Sequence, residues 1–153
     1  MASIDATRRY RQVQVETSAK DELLVLLLDG GVRFAEGAAL ELRKAANGEE
    51  EDLERRNDYL IRSQKIILEL IGALNPTIGL ELYDKLQSLY SFTFRRLFEG
   101  NVEADLVKVE EGVRVFQQIR DMWKDAVERA REEQDGQAKP QRPLSNSTIS
   151  LQG

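Results

Sequence analysis

The sequence contains no histidine and no cysteine. Without imidazole there is no His-containing metal site, no His-based triad, no phosphorelay histidine and no imidazole general base. Without thiols there is no disulfide scaffold and no thiol chemistry, which accords with a reducing compartment. Positive charge is in deficit as well. The net charge is −5 with 32% charged residues, so no general affinity for nucleic acid or anionic lipid is expected. Long apolar runs are missing too: Leu23–Leu28 is far too short to span a bilayer, and Met1–Lys20 has no apolar segment of the kind that directs export. The expected location is therefore the cytoplasm, without membrane insertion. A chain of 153 residues is one domain's worth and can bury a single core.

What the chain does have is an apolar surplus. Six apolar residues in a row, Leu23 to Leu28, go one and a half times round a helix at about 100° per residue and cannot all face one core. Leu23, Leu27, Gly30, Phe34 and Ala38 form one stripe, expected to face the core. Val25, Leu28, Val32 and Ala39 form a second on the opposite side, which something else must cover.

Four segments carry helical periodicity. The first is expected from Ser18, which can form a capping-box-like pair with Asp21, to about Ala46, where Asn47-Gly48 supply a stop. Before it, Val13 and Val15 alternate, and Met1 to Thr17 reads as an extended strap carrying Tyr10. Glu49, Glu50, Glu51 and Asp52 place negative charge at the start of a second helix running to about Leu74. Its expected core line is Leu53, Leu60, Gln64, Ile67, Leu68 and Ile71, with Tyr59, Ile66 and Leu70 as a second line on the far side. Asn75-Pro76-Thr77 breaks the chain. A third helix, about Leu80 to Phe98, turns Leu82, Leu86, Leu89, Tyr90 and Leu97 inward, with Tyr83, Phe94 and Phe98 spilling beyond a normal stripe, and Gly100-Asn101 ending it. A fourth runs from about Glu103 to Arg131 with Leu106, Val109, Val113, Phe116, Trp123 and Val127 inward. From Glu132 the composition turns to Gln, Ser, Asn, Gly and Pro without period, as in a disordered tail. The expected fold is all-α: an antiparallel four-helix bundle over 18–131, an N-terminal strap over 1–17 and a flexible tail over 132–153.

No catalytic constellation stands out. The acidic residues cluster at helix starts and outer faces, and a di-iron bundle site needs Glu-x-x-His pairs that this chain lacks. Gly30-Gly31 follows no strand and opens no helix, so tight packing of a neighbouring helix, or close approach by a bound chain, fits it better than phosphate binding. Arg95-Arg96 reads as a partner for Asp29 or another bundle acid, and Arg8, Arg9 and Arg11 are too few for a nucleic-acid patch. Neither a cofactor nor a metal is expected. Two neighbouring helices with surplus stripes describe instead an apolar groove that receives a helix or extended segment of a partner.

At this point an ordered set of residues becomes specific. Tyr10 is followed by Val15-Glu16-Thr17, then by Leu23 to Leu28 with Asp29-Gly30 and Phe34. Next come Leu60 to Leu70, Leu89-Tyr90, Arg95-Arg96-Leu97, Glu99-Gly100-Asn101 and Arg120-Asp121-Met122-Trp123-Lys124. This series, from Tyr10 to about Ala130, resembles the bacterial flagellar secretion chaperones. The resemblance implies a non-enzymatic, cytosolic helical bundle whose groove holds the C-terminal segment of flagellin, one-to-one, preventing premature polymerisation and keeping it competent for type III secretion. Other flagellar proteins are further candidate partners. It also makes Tyr10 and Val15 strap residues, able to lie over the groove. The expected contacts are Tyr10, Val15, Val25, Leu28, Val32, Tyr59, Ile66, Leu70, Phe94 and Phe98. The chain departs from the family at Ala19-Lys20, where Ser or Thr followed by Pro is usual, at Leu28, where Tyr is common, and at Gly100, where Ala is common. The alternative reading is a homo-oligomeric bundle, a homodimer when free, whose second stripes face copies of itself.

Overall fold

The structure is a computed structural model that describes the backbone of residues 2–138 and the side chains of residues 4–12 and 19–136. The described chain is helical: α1 Ala2–Ala46, α2 Leu53–Ala73, α3 Leu80–Glu103 and α4 Leu106–Ala138, with a 3-10 turn at Pro76–Ile78 between α2 and α3. It divides into two compact units, Met1–Asp121 and Met122–Gly153. The first holds α1 to α3 and the first half of α4, and cross-links between them fix an up-down-up-down order. Ser63 meets Gly31, Asn101 meets Asn57, and Arg96 meets Glu111. Arg43 pairs with Glu110 at 3.3 Å, and Glu36 with Gln117 at 3.4 Å, setting α1 antiparallel to α4. In the second unit the rest of α4 carries an Arg129–Asp125 pair at 3.0 Å one turn apart.

The connections follow from local chemistry. Gly48 takes φ +78 after α1, a left-handed conformation that glycine adopts at no steric cost. The Asp52 carboxylate accepts from the Arg55 backbone N–H and caps α2. The Asn75 side chain accepts from Thr77 N–H and starts the 3-10 turn. These three breaks stand where the sequence places them.

Other boundaries do not. The backbone of 2–17 is helical, so the extended conformation expected there is corrected to the first turns of a 45-residue α1. No glycine or proline occurs between Ala2 and Asp29. Two valines lower helix propensity by only tenths of a kcal/mol, roughly 0.5 each at most, too little to stop a helix. Lys20 occupies the place where the resembled family has its proline, and so nothing starts the helix afresh at Ser18. Gly100-Asn101 does not end α3, which continues to Glu103 and closes on Ala104 at φ 52. Gly100 serves packing instead: a Cβ there would lie 2.4 Å from Val109 Cγ2 and 3.0 Å from Val109 N. α4 continues past Arg131 to Ala138, and the rest of the expected tail, 139–153, lies outside the described residues.

The core comes from Leu28, Val32, Ala35, Ala38, Ala39 and Leu42 of α1, Leu60, Ile67 and Leu70 of α2, Leu86, Tyr90 and Leu97 of α3, and Val109, Phe116 and Ile119 of α4. Of the α1 stripe expected outside, Leu28, Val32 and Ala39 are buried and Val25 is half-buried; of the stripe expected inside, only Ala38 is buried, with Leu27, Gly30 and Phe34 half-buried. Leu23 is 57% exposed, whereas Leu28 and Val32 are 0%. A wheel with two apolar lines does not say which faces in. The decision falls to the neighbours: Ser63 and Phe116 both close on Gly31, and this turns the Leu28–Leu42 line inward. On α2 the expected core residues Leu53 and Leu68 are exposed at 59% and 55%.

Candidate functional site

Of the ten expected contact residues, three belong to the core and are corrected accordingly: Leu28, Val32 and Leu70 are sealed inside the bundle and line no groove. Val25, Tyr59, Ile66 and Phe94 are half-buried, Tyr10 and Phe98 are exposed, and the side chain of Val15 lies outside the described residues.

Tyr59 and Ile66 serve the contact between α1 and α2. A Cβ at Gly37 would sit 2.7 Å from the Tyr59 ring, and one at Gly30 would sit 3.7 Å from Ile66 Cδ1. Glycines on α1 thus admit bulky residues of α2, and the Tyr59 ring lies 5.9 Å from Phe34, which Arg62 covers at 5.7 Å. The tight-packing reading of Gly30-Gly31 holds.

The apolar surplus lies elsewhere. Asn101 Nδ2 donates to Asn57 Oδ1 at 2.9 Å on the exposed edge between α2 and α3. Following the antiparallel register one turn at a time from that pair brings Ile61 alongside Phe98, and Leu68 alongside Ser91 with Phe94 between. Ile61, Leu68 and Phe98 are 39%, 55% and 53% exposed, and Phe94 is half-buried among them. On that register Ile61, Leu68, Phe94 and Phe98 share one apolar face along the outer edge of α2 and α3, called the furrow below. Of the four, Phe94 and Phe98 were expected as contacts from the sequence, and Ile61 and Leu68 were not. Their spacing of seven, in line with the polar Asn57, was the available signal for an outward stripe.

A polar lock holds the lower end of the furrow. Arg56, 7% exposed, donates to both Glu51 carboxylate oxygens at 2.9 Å and reaches Asn101 Oδ1 at 3.4 Å. Both bonds to Glu51 come from Nη1, while Nε and Nη2 reach Asn101, so one planar guanidinium spans the two residues with charge-assisted bonds. Nearby, Glu41 accepts from Asp52 N–H at 2.9 Å and from Lys44 Nζ at 3.0 Å. Those donors hold its carboxyl below the ordinary value of 4.5, the backbone bond contributing most. On α3, Arg96 pairs with Glu99 and Glu111 and lies over Phe92, so the bundle-acid partner expected for this arginine pair is present.

A second recess of about 490 Å³ lies between α1 and α4, bounded by Glu36, Leu40, Arg43, Glu110 and Arg114. Its charged walls pair with each other across it through Arg43 and Glu110. Among the described residues no group of three or more His, Cys, Asp or Glu is placed to hold a metal ion, and no helix is long and apolar enough to cross a membrane. The arrangement leaves an uncovered apolar edge along α2 and α3.

Comparison with known proteins agrees on one family. The model of the family described as "Flagellar protein FliS" matches residues 3–130. The flagellar secretion chaperone FliS of Bacillus subtilis (strain 168) is 33% identical over 127 residues, 83% of this chain and 90% of that protein. The proteins of the same name from Campylobacter jejuni and Escherichia coli (strain K12) are 27% and 26% identical, over 78% and 83% of this chain and 89% and 93% of theirs. With the helical bundle and its uncovered apolar edge already described, this match places the chain in the FliS family of flagellar secretion chaperones.

Proposed function

We propose that the protein is a cytosolic chaperone that holds the C-terminal segment of flagellin, one-to-one, on the α2–α3 furrow. Flagellin polymerises through its terminal segments, so covering one of them blocks assembly before export. The same cover keeps the segment unfolded enough for type III secretion. The role is non-enzymatic. The observation that carries the reading is the exposed apolar line Ile61, Leu68 and Phe98 on a member of a flagellar chaperone family. A disordered segment loses about 2–5 kcal/mol in ordering when it folds on binding, so the contact must be apolar and extended. A furrow along two helices supplies that kind of surface.

The test is a calorimetric titration of the full chain with the last several dozen residues of the same organism's flagellin. One-to-one binding is expected, weakened at least about tenfold by Phe98→Asp, a difference near 1.4 kcal/mol. Phe98 is 53% exposed, so the variant keeps its thermal midpoint. No binding by the unaltered chain overturns the flagellin reading. Unchanged binding by both Phe98→Asp and Ile61→Asp moves the site off this furrow.

A further inference from the structure

One polar residue interrupts the furrow. Gln64 follows Ile61 by three positions and precedes Leu68 by four, so it stands between them on α2. The register that sets Ile61 beside Phe98 places it level with Phe94. Round α2 it falls between the buried Leu60 and Ile67 and the exposed Ile61 and Leu68, and it is itself half-buried. Gln64 therefore borders the seam between α2 and α3. Ser91, alongside Leu68, is half-buried too.

Among the described residues neither the Gln64 amide nor the Ser91 hydroxyl has a hydrogen-bond partner. No fully buried side-chain nitrogen or oxygen there lacks one, so both groups open to solvent. A wholly apolar cover would strip water from them and leave them unpaired, a cost set against the apolar gain. The covering segment has to bring donors and acceptors of its own.

A primary amide holds a donor and an acceptor side by side in one plane. Its complement is the N–H and C=O of a single residue in an extended chain, which point to the same side and are free on an open edge. A helix spends both groups in its own ladder. With side chains it is also about 10–12 Å across, whereas packed helices lie about 8–10 Å apart, so it rides over their seam. A strand, needing only about 4.8 Å to its hydrogen-bonded neighbour, reaches the seam.

We propose that the segment covering the furrow crosses Gln64 in extended form, one of its residues donating N–H to Gln64 Oε1 and accepting from Gln64 Nε2 through its C=O. Ser91 serves a second peptide group further along. Gln64 thus selects an unpaired backbone edge, while Ile61, Leu68 and Phe98 select apolar side chains. The inference rests on the flagellin reading and specifies how that segment is held.

The test titrates the full chain and Gln64→Leu by calorimetry with the last several dozen residues of the same organism's flagellin. The peptide is used unaltered and as a series N-methylated at one backbone position each. Gln64→Leu is expected to bind the unaltered peptide about tenfold more weakly. Its thermal midpoint does not fall, because the amide has no partner among the described residues. One methylated position should weaken binding to the natural chain by a similar factor and cause no further loss with Gln64→Leu. Undiminished binding by Gln64→Leu, or no methylated position whose effect vanishes in that variant, overturns the Gln64 role and leaves the flagellin reading standing. No binding of the unaltered peptide by the natural chain overturns both.

Discussion

The Ser63 hydroxyl donates a 2.9 Å hydrogen bond to the Gly31 carbonyl where α1 crosses α2, and both residues are buried. The Phe116 ring of α4 closes the third side of the same point, so three helices meet at a glycine.

A methyl group at Gly31 would lie 2.4 Å from Phe116 Cζ, against a ring fixed in the core. Gly31→Ala is expected to destabilise the bundle by about 1–3 kcal/mol from overpacking, even after the gain of about 1 kcal/mol in helix propensity. Gly72, with nothing within 4 Å of its Cβ position, is the control. Gly72→Ala should stabilise by about 0.5–1 kcal/mol. Urea midpoints of the two variants should move in opposite directions.

Removing the Arg56 side chain leaves Glu51 and Asn101 without their donor at a nearly closed site. Arg56→Ala should cost about 2–3 kcal/mol, in the range of hydrogen bonds to charged groups. Arg56→Lys should recover less than half of that, since a compact ammonium does not span Glu51 and Asn101 as the guanidinium does. Thermal unfolding of both variants checks the order.

Glu41 titrates below its ordinary value when folded. A depressed carboxyl contributes stability that is present above the unfolded value near 4.5 and lost as pH falls through the folded value. The natural chain should therefore lose stability more steeply than Glu41→Gln on acidification below that value. Urea midpoints at stepped pH read the slopes, and equal slopes would remove Glu41 from the acid response.

Lys20→Pro reintroduces the residue that the family usually has here. It removes a backbone donor and clashes with the preceding turn, so the helix should break there. Circular dichroism should lose signal from residues 2–19, while the thermal midpoint of the bundle stays, because the described side chains there, 4–12 and 19, are exposed.

How much was readable in advance differs from element to element. Asn47-Gly48 and Asn75-Pro76 mark their breaks because a left-handed residue and a missing N–H act on their own neighbours. Phe94 and Phe98 were expected on an outer face because, with Tyr83, they exceed what a single stripe of α3 holds. Leu68 was misplaced because it neighbours Ile67 in sequence while pointing about 100° away, and the pattern alone assigned both inward. The early start of α1 was readable in the lack of glycine and proline before Asp29, yet alternation at Val13 and Val15 was weighed above it.

By itself the amino-acid order determined four amphipathic helices, their turns and the family, since period, breakers and residue series are local properties of the chain. Only the tertiary structure decided that Leu28 and Val32 face inward while Leu23 and Leu26 face water. The reason is that the inner side of α1 is chosen by Ser63 and Phe116, distant in sequence, which close on a glycine that only one rotation of the helix presents to both.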